Sequence, residues 1–230
     1  MTTRKDFLIA TTAVAALAPA VASAAPATPA GAAKNGDIPK FAFDRAGFDA
    51  ITARVAQHRH SFASTKLEDG DVLNAMTNVM NAYEEALDEK PVSITAAAVL
   101  YHGSALALGF NDWVWNEMFV SALPKMPPSV KADIATLKKG DGNAWLHKPK
   151  TGDHDSSIET LVMRGGYFFM CNNATKGFAH VLAGALGITP AAAYTKLTTN
   201  LVPHAFLVPA GVWAIHALQE AQFTYQQATL

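Results

Sequence analysis

Apolar positions along this chain follow two patterns, helical faces and short continuous runs. Apolar residues recur at helical spacing within 43–57, where Asp44 is a plausible N-cap. A longer helix is predicted over 69–88, because apolar residues return to one face at every turn, and Pro91 ends it. Both segments have the amphipathic pattern of helices that pack one face against a core.

Short, mainly apolar runs predict strands over 92–101, 166–170 and 205–208, and 58–63 is a candidate first strand. Further helices are predicted over 104–120, 172–186 and 212–221, with Gly187 as the C-cap of the second. The apolar stretch 201–218 contains prolines and histidines, so a core strand and helix explain it better than a membrane span. Alternating strands and helices are typical of an α/β domain whose parallel sheet is covered on both faces, here a single domain over 38–230.

The first 24 residues have the three parts of an export signal. A positive start at Arg4-Lys5 precedes an apolar run, and Ala22-Ser23-Ala24 supplies a small-x-small cleavage pattern. The run is shorter than the roughly 20 residues of a membrane helix, although an uncleaved anchor stays open. Lys5 stands where a twin-arginine signal has its second arginine, so both export routes stay open. We expect a periplasmic or secreted bacterial protein in which 25–37 is a flexible linker.

Charge and cysteine content narrow the possible partners. The formal net charge is −1 and becomes −2 when residues 1–24 are removed, so we expect no nucleic-acid partner and no membrane partner after signal cleavage. Half of the residues are apolar, which favours burial of further surface against copies of the same chain. The single cysteine, Cys171, excludes an intramolecular disulfide. We find no cofactor-binding motif and expect no cofactor.

Three loops follow predicted strands and should meet at one edge of the sheet, where parallel α/β folds bind ligands. Cys171 ends the third strand and begins a helix, whose positive end favours the nucleophilic thiolate. The predicted pocket around it consists of His102, Gly103, Asn172, Asn173, Pro209 and Gly211. In this arrangement the asparagines supply amide donors, and His102 is either a base or hydrogen-bond donor or a structural residue.

Each of these residues also has a purely structural interpretation. Cys171 is either a reactive thiol or a small core residue, because free cysteine packs as a small hydrophobe. His58 and His60 should share one face of the first strand, but no further ligand completes a metal site there. Asp153-His154-Asp155 is more consistent with a solvated loop than with a cation site. We therefore predict no metal.

Several segments together resemble the DsrE/DsrF-like family. In that family a strand ends in a cysteine, and a later strand runs into a helix that begins Val-Pro-x-Gly-Val and is followed by Leu-Gln near the chain end. The matching segments cover most of residues 58–225 and are 78–81, 98–103, 166–177, 200–212 and 218–219.

This resemblance implies a three-layer α/β/α fold with a mainly parallel sheet of about five strands. It also implies homo-oligomers, often trimers or hexamers, and sulfur relay, in which Cys171 accepts sulfane sulfur as a persulfide and passes it between donor and acceptor proteins. The export signal and the asparagines that follow Cys171 depart from the sulfur-carrying members. The alternative is a non-catalytic homo-oligomeric module that binds a small ligand or partner and has a structural Cys171, so whether the protein is an enzyme stays open.

Overall fold

Five parallel strands form the centre of the structure, a computed structural model that describes residues 37–54, 56–88, 93–128, 131, 140–149 and 155–228. The predicted signal peptide lies outside the described residues, as does the predicted linker apart from Asp37. The strands are β1 His58–Ser64, β2 Ile94–Leu100, β3 Gly166–Cys171, β4 Ala205–Val208 and β5 Thr224–Gln227. Their order is β4-β3-β2-β1-β5, and every neighbouring pair is parallel.

Helices cover both faces of this sheet. They are α1 Arg45–Thr52, α2 Asp71–Asn81, α3 Ile158–Met163, α4 Asn172–Leu186, α5 Pro190–Thr198 and α6 Gly211–Glu220. Residues of α1 and α6 share a buried cluster with Ala97, Val99 and Phe169 of the sheet. Residues of α2 to α5 share a second cluster with residues such as Ala98 and Phe168, which point the other way. The predicted three-layer α/β/α architecture with five strands is confirmed.

The two clusters explain why the central strands read as unbroken apolar runs. All seven residues of β2 and all six of β3 are buried. Because side chains alternate along a strand, Tyr167 and Phe169 face α6 while Phe168 and Met170 face the α2 side. A strand with helices on both faces needs apolar side chains in both directions, so it lacks the polar alternation of a half-exposed strand.

The residues predicted to cap α1 and α4 are found at the ends of these helices. The Asp44 carboxylate accepts the backbone N–H of Gly47 at 2.8 Å, which confirms it as the N-cap of α1. The predicted range of α4 is found unchanged. Gly187 ends this helix at φ 68°, a left-handed conformation that glycine adopts without steric cost.

The single helix predicted over 104–120 is wrong. A 3₁₀ helix runs from Gly103 to Gly109, Phe110 then bridges to Leu201, and a second helical stretch occupies 112–125. The break has a local cause, since the side chain of Asn111 caps the second stretch by accepting the N–H groups of Trp113 and Val114 at 3.1 and 3.3 Å. The apolar periodicity is real, but it belongs to two short helices and not to one.

The helix predicted over 69–88 is found in three parts. A 3₁₀ turn over Glu68–Gly70 leads into α2, and π-helical turns over Ala82–Ala86 continue it. Three elements, α3, α5 and β5, were not predicted. Among the described residues no single helix is long and apolar enough to span a bilayer, and α4 with α5 passes that test only as a pair bent by 120°.

Candidate functional site

The carboxyl edge of the sheet brings together the three loops that the sequence singled out. Strand β3 lies between β2 and β4, with Leu100 paired to Met170 and Cys171 paired to Val208. The loops after β2, β3 and β4 therefore leave neighbouring positions on one edge, as predicted. The outer two also touch, because a Cβ on Gly211 would lie 2.2 Å from the Cβ of Tyr101.

Cys171 is at once the last residue of β3 and the N-cap of α4. Its Sγ accepts a hydrogen bond from the backbone N–H of Ala174 at 3.4 Å, and its carbonyl oxygen accepts one from Thr175 Oγ1 at 2.9 Å. Its side chain has the strand parity of Tyr167 and Phe169, so it points toward the α6 side of the sheet. Cys171 is only 7% exposed. A 15-residue helix thus directs its positive end at a largely covered sulfur.

The two asparagines after Cys171 have different environments. Asn172 is buried, and its Oδ1 accepts the hydroxyl of Tyr194 at 2.6 Å. Burial raises the pKa of Tyr194, which keeps the phenol in its protonated, donating form. Asn172 therefore joins α4 to α5, whereas Asn173 is exposed at the helix start. Of the two predicted amide donors, Asn173 is the one that faces solvent.

Sequence reasoning missed Tyr194 because it missed α5. A local signal for that helix was present in Thr189-Pro190, since threonine is a preferred N-cap and proline a preferred first helical residue. The structure uses both, and Thr189 Oγ1 accepts the N–H of Ala192 at 3.1 Å. This dipeptide therefore predicts a helix that contains Tyr194, although it does not predict the contact with Asn172.

His102 occupies the loop after β2 with unusual backbone angles, φ 65° and ψ 160°. This region is otherwise populated almost only by glycine, because a Cβ collides there with the backbone. The next residue, Gly103, also has positive φ, and a Cβ there would lie 2.4 Å from the carbonyl oxygen of Thr65. Both residues are exposed. The loop therefore presents the imidazole at the edge of the sheet at a cost in backbone strain.

The loop after β4 is the third of the loops at this edge of the sheet. Pro209 is half-buried and Gly211 is buried at the start of α6. The side chain of Val212, next along the helix, is 58% exposed. Gly211 therefore allows the α6 start to approach Tyr101, one position beyond Leu100 on the strand that neighbours Cys171.

The two histidines of β1 point to the same side, as predicted, and both rings pack on Tyr83. The Nδ1 atom of His60 is 2.8 Å from Thr224 Oγ1 on β5. Burial and the neighbouring His58 lower the pKa of His60, so its neutral form is favoured. Among the described residues no group of three His, Cys, Asp or Glu side chains could hold a metal ion, and of the predicted Asp153-His154-Asp155 cluster only Asp155 is described.

The comparison with solved structures finds distant structural likeness to this chain. No protein-family model matches this chain. No curated protein matches it either. A solved structure, described as a protein of unknown function from Methanobacterium thermoautotrophicum, is similar at 15% sequence identity and a TM-score of 0.35, with 74% of this chain and 98% of that chain covered.

Proposed function

We propose that this protein is an exported member of the DsrE/DsrF-like group that accepts sulfane sulfur on Cys171 and carries it as a persulfide. The observation that carries the proposal is the hydrogen bond from the Ala174 N–H to Sγ at the N-terminus of α4. A backbone N–H and a helix N-terminus directed at sulfur interact favourably with the negative charge that the bound persulfide carries. The sequence resemblance given above supports the same role.

The proposed step needs no cofactor. The Cys171 thiolate attacks the outer sulfur of thiosulfate, a new S–S bond forms at Sγ, and the S–S bond of thiosulfate breaks so that sulfite leaves with the bonding electron pair. The persulfide carries one negative charge on its outer sulfur and sulfite leaves as the dianion, so the charge balances. In the delivery step, an acceptor thiolate attacks the outer sulfur of the persulfide, and Cys171 leaves as the thiolate.

Intact-mass spectrometry tests this proposal directly. The mature protein is incubated with thiosulfate or polysulfide, and we expect a mass increase of one or more sulfur atoms that a reductant removes. Because Cys171 is the only cysteine, Cys171→Ser should show no addition. Addition that persists in Cys171→Ser would contradict the proposal, and so would an unmodified wild-type protein.

A relocated thiol provides the matched control. Met163, at the end of α3, is 66% exposed, so Met163→Cys in the Cys171→Ser background offers one cysteine without the environment at α4. We expect Cys171 to take up sulfur faster than this thiol although it is far less exposed. Equal or slower loading at Cys171 would show that its position confers no special reactivity.

The low exposure of Cys171 favours a second candidate function, a non-catalytic homo-oligomeric binding module in which the sulfur only caps a helix. A buried structural thiol should resist alkylation at every pH at which the fold is intact. A thiol used for sulfur exchange should react with iodoacetamide in the native state and faster as pH rises. Light scattering coupled to gel filtration tests the homo-oligomer, for which we propose a trimer or hexamer.

We also propose that residues 1–24 are removed on export to the periplasm or the medium. N-terminal sequencing of protein isolated from its native compartment should then begin at Ala25. Protein that retains Met1 in a membrane fraction would indicate an anchor instead.

A further inference from the structure

The connections between strands reverse direction between β1 and β5. From β1 the chain proceeds to β2, β3 and β4 in spatial order, and the intervening helices lie on the α2 side. From β4 it crosses back through α6 on the opposite face and places β5 on the far side of β1. Open parallel sheets bind ligands at the carboxyl ends of strands next to such a reversal. In this chain that position is not at Cys171, which ends β3.

A groove occupies this position on the α2 side of the sheet. Its volume is about 500 Å³, with Phe62 of β1 and Gln226 of β5 lining it from the sheet and Asn74, Asn78 and Val79 lining it from α2. The groove lies between α2, which packs on β1 and β2, and the edge strand β5. We call this space the switch groove, after the reversal of strand order beside it.

Four polar side chains line the switch groove, where Asp71, Asn78 and Gln226 are exposed to solvent and Asn74 is half-buried. Asp71, Asn74 and Asn78 lie at helical spacing on one face of α2, opposite Gln226 on β5. Within the described part of the chain these four side chains make no hydrogen bond or ion pair. Phe62, Val79 and Ala228 supply apolar surface between them. Such a mixture of apolar surface and a few convergent polar groups is typical of small-molecule sites.

The charge of the groove selects among ligands. Asp71 is the one charged side chain among the described residues that line it. This carboxylate lies in the first turn of α2, so it already supplies the negative charge that a helix N-terminus favours. His60, two residues before Phe62 on β1, adds no compensating charge because burial and His58 lower its pKa. An anionic ligand would meet a carboxylate and no described cation.

We propose that the switch groove binds a small, positively charged molecule rich in amide-like donors and acceptors, with its cation at Asp71 and its polar groups at Asn74, Asn78 and Gln226. Amide side chains offer both a donor and an acceptor, so they match guanidinium, amide or amine groups flanked by a short apolar segment. This site is independent of Cys171 and of the sulfur chemistry proposed there.

Nuclear magnetic resonance titration of the isotope-labelled protein tests the proposal with L-argininamide as the probe. We expect saturable shifts of backbone amides in 71–79 and 224–228. N-acetyl-L-aspartate, a molecule of similar size and opposite charge, should produce none. The absence of saturable shifts with L-argininamide, shifts that map elsewhere, or equal shifts with both probes would overturn the proposal.

Three variants separate the groove from general surface effects. Asn74→Leu with Asn78→Leu should weaken L-argininamide binding at least about tenfold, the equivalent of one lost hydrogen bond to a charged group. Asp71→Asn, which preserves shape, should abolish the preference for the cationic probe. Gln219→Leu, an exposed amide on α6 across the sheet, should leave binding unchanged. Unchanged binding in both groove variants would overturn the proposal. Broadening of the backbone amide signals of the groove with protein concentration alone would also overturn it, because a second copy of the chain would then occupy the groove.

Discussion

At the scale of single residues, the backbone of His102 stands out in the candidate site. Its angles, φ 65° and ψ 160°, fall in a region where a non-glycine residue costs about 1–3 kcal/mol. Substituting His102→Gly should therefore raise the free energy of unfolding by about 1 kcal/mol, after the greater freedom of glycine in the unfolded chain is subtracted. Urea unfolding followed by circular dichroism measures this change.

The strained backbone at His102 holds an imidazole at the edge of the sheet next to Cys171, and a pair of variants separates the two features. His102→Ala is the matched variant, because it removes the imidazole but retains the Cβ that causes the strain. We expect His102→Ala to leave stability near the wild-type value and both variants to slow sulfur loading of Cys171. Loading at the wild-type rate in both would assign His102 to loop structure alone.

A second prediction at this scale concerns the hydrogen bond between Tyr194 and Asn172. Tyr194→Phe leaves the buried Asn172 Oδ1 without its 2.6 Å donor, and an unsatisfied buried acceptor costs about 1–3 kcal/mol. Tyr225→Phe is the control, because it removes a 2.6 Å bond to Gln227 from a side chain that is 41% exposed. We expect the control to change the unfolding free energy by less than about 0.5 kcal/mol. Equal losses in the two variants would contradict the argument.

At the scale of elements, the helices and caps that depend on local sequence could be predicted. The range of α4 and its Gly187 cap are found as predicted, because an apolar face and a left-handed glycine are both visible in the sequence. Strand β5 could not be found in this way. Three of its four residues are exposed, and it joins the sheet through backbone pairing with β1, which needs no apolar side chains.

The position of the candidate site could be predicted from sequence, but the contacts within it could not. The loops after β2, β3 and β4 were placed together correctly, since parallel strands direct their carboxyl ends to one edge. The burial of Asn172 depends on α5, and the strained turn at His102 depends on the approach of Gly103 to Thr65. Contacts between distant segments of this kind leave no periodic pattern in the sequence.

The contact between the α6 start and β2 gives a prediction for these elements. A Cβ at Gly211 would lie 2.2 Å from the Cβ of Tyr101, and neither atom can rotate away. Gly211→Ala should therefore displace α6 and reduce stability by about 1–3 kcal/mol.

The control for this prediction is another helical glycine. Gly177→Ala within α4 meets nothing within 4 Å and should gain up to about 1 kcal/mol from helix propensity. Thermal unfolding of both variants checks the opposite signs. A neutral Gly211→Ala would mean that the two elements are not held in this close contact.

At the scale of the whole molecule, the order of strands places a groove where the sequence gave no reason to expect one. The neighbours of β1 are β2 and β5, which are the next strand and the last of the five strands in sequence. No local pattern records that adjacency, because backbone pairing between distant strands determines it. The switch groove and the edge at Cys171 are therefore separate regions, and only the second could be predicted from sequence.

Two histidines should give the stability of the whole fold opposite dependences on pH. Hydrogen bonds that the His147 ring donates to the carboxylates of Asp112 at 2.7 Å and Glu159 at 2.8 Å raise the pKa of His147 above its ordinary value of 6.5. The contribution of protonated His147 to the stability of the fold is therefore complete below pH 6.5 and is lost as pH rises through the raised pKa. Because His147 is exposed, we expect less than about 1 kcal/mol, and high salt should reduce it.

His60 has the reverse sign. Burial and the neighbouring His58 lower its pKa below 6.5, so the fold favours the neutral ring, and stability present above pH 6.5 is lost as pH falls through the lowered pKa. The free energy of unfolding is measured for the wild type, His147→Gln and His60→Gln across this pH range. As pH rises, the difference in stability between the wild type and His147→Gln should shrink. The difference between the wild type and His60→Gln should grow. Salt should flatten only the first trend, because burial and not a surface ion pair is the main cause of the second. Trends of the same sign in the two comparisons would contradict this assignment of proton binding to the fold.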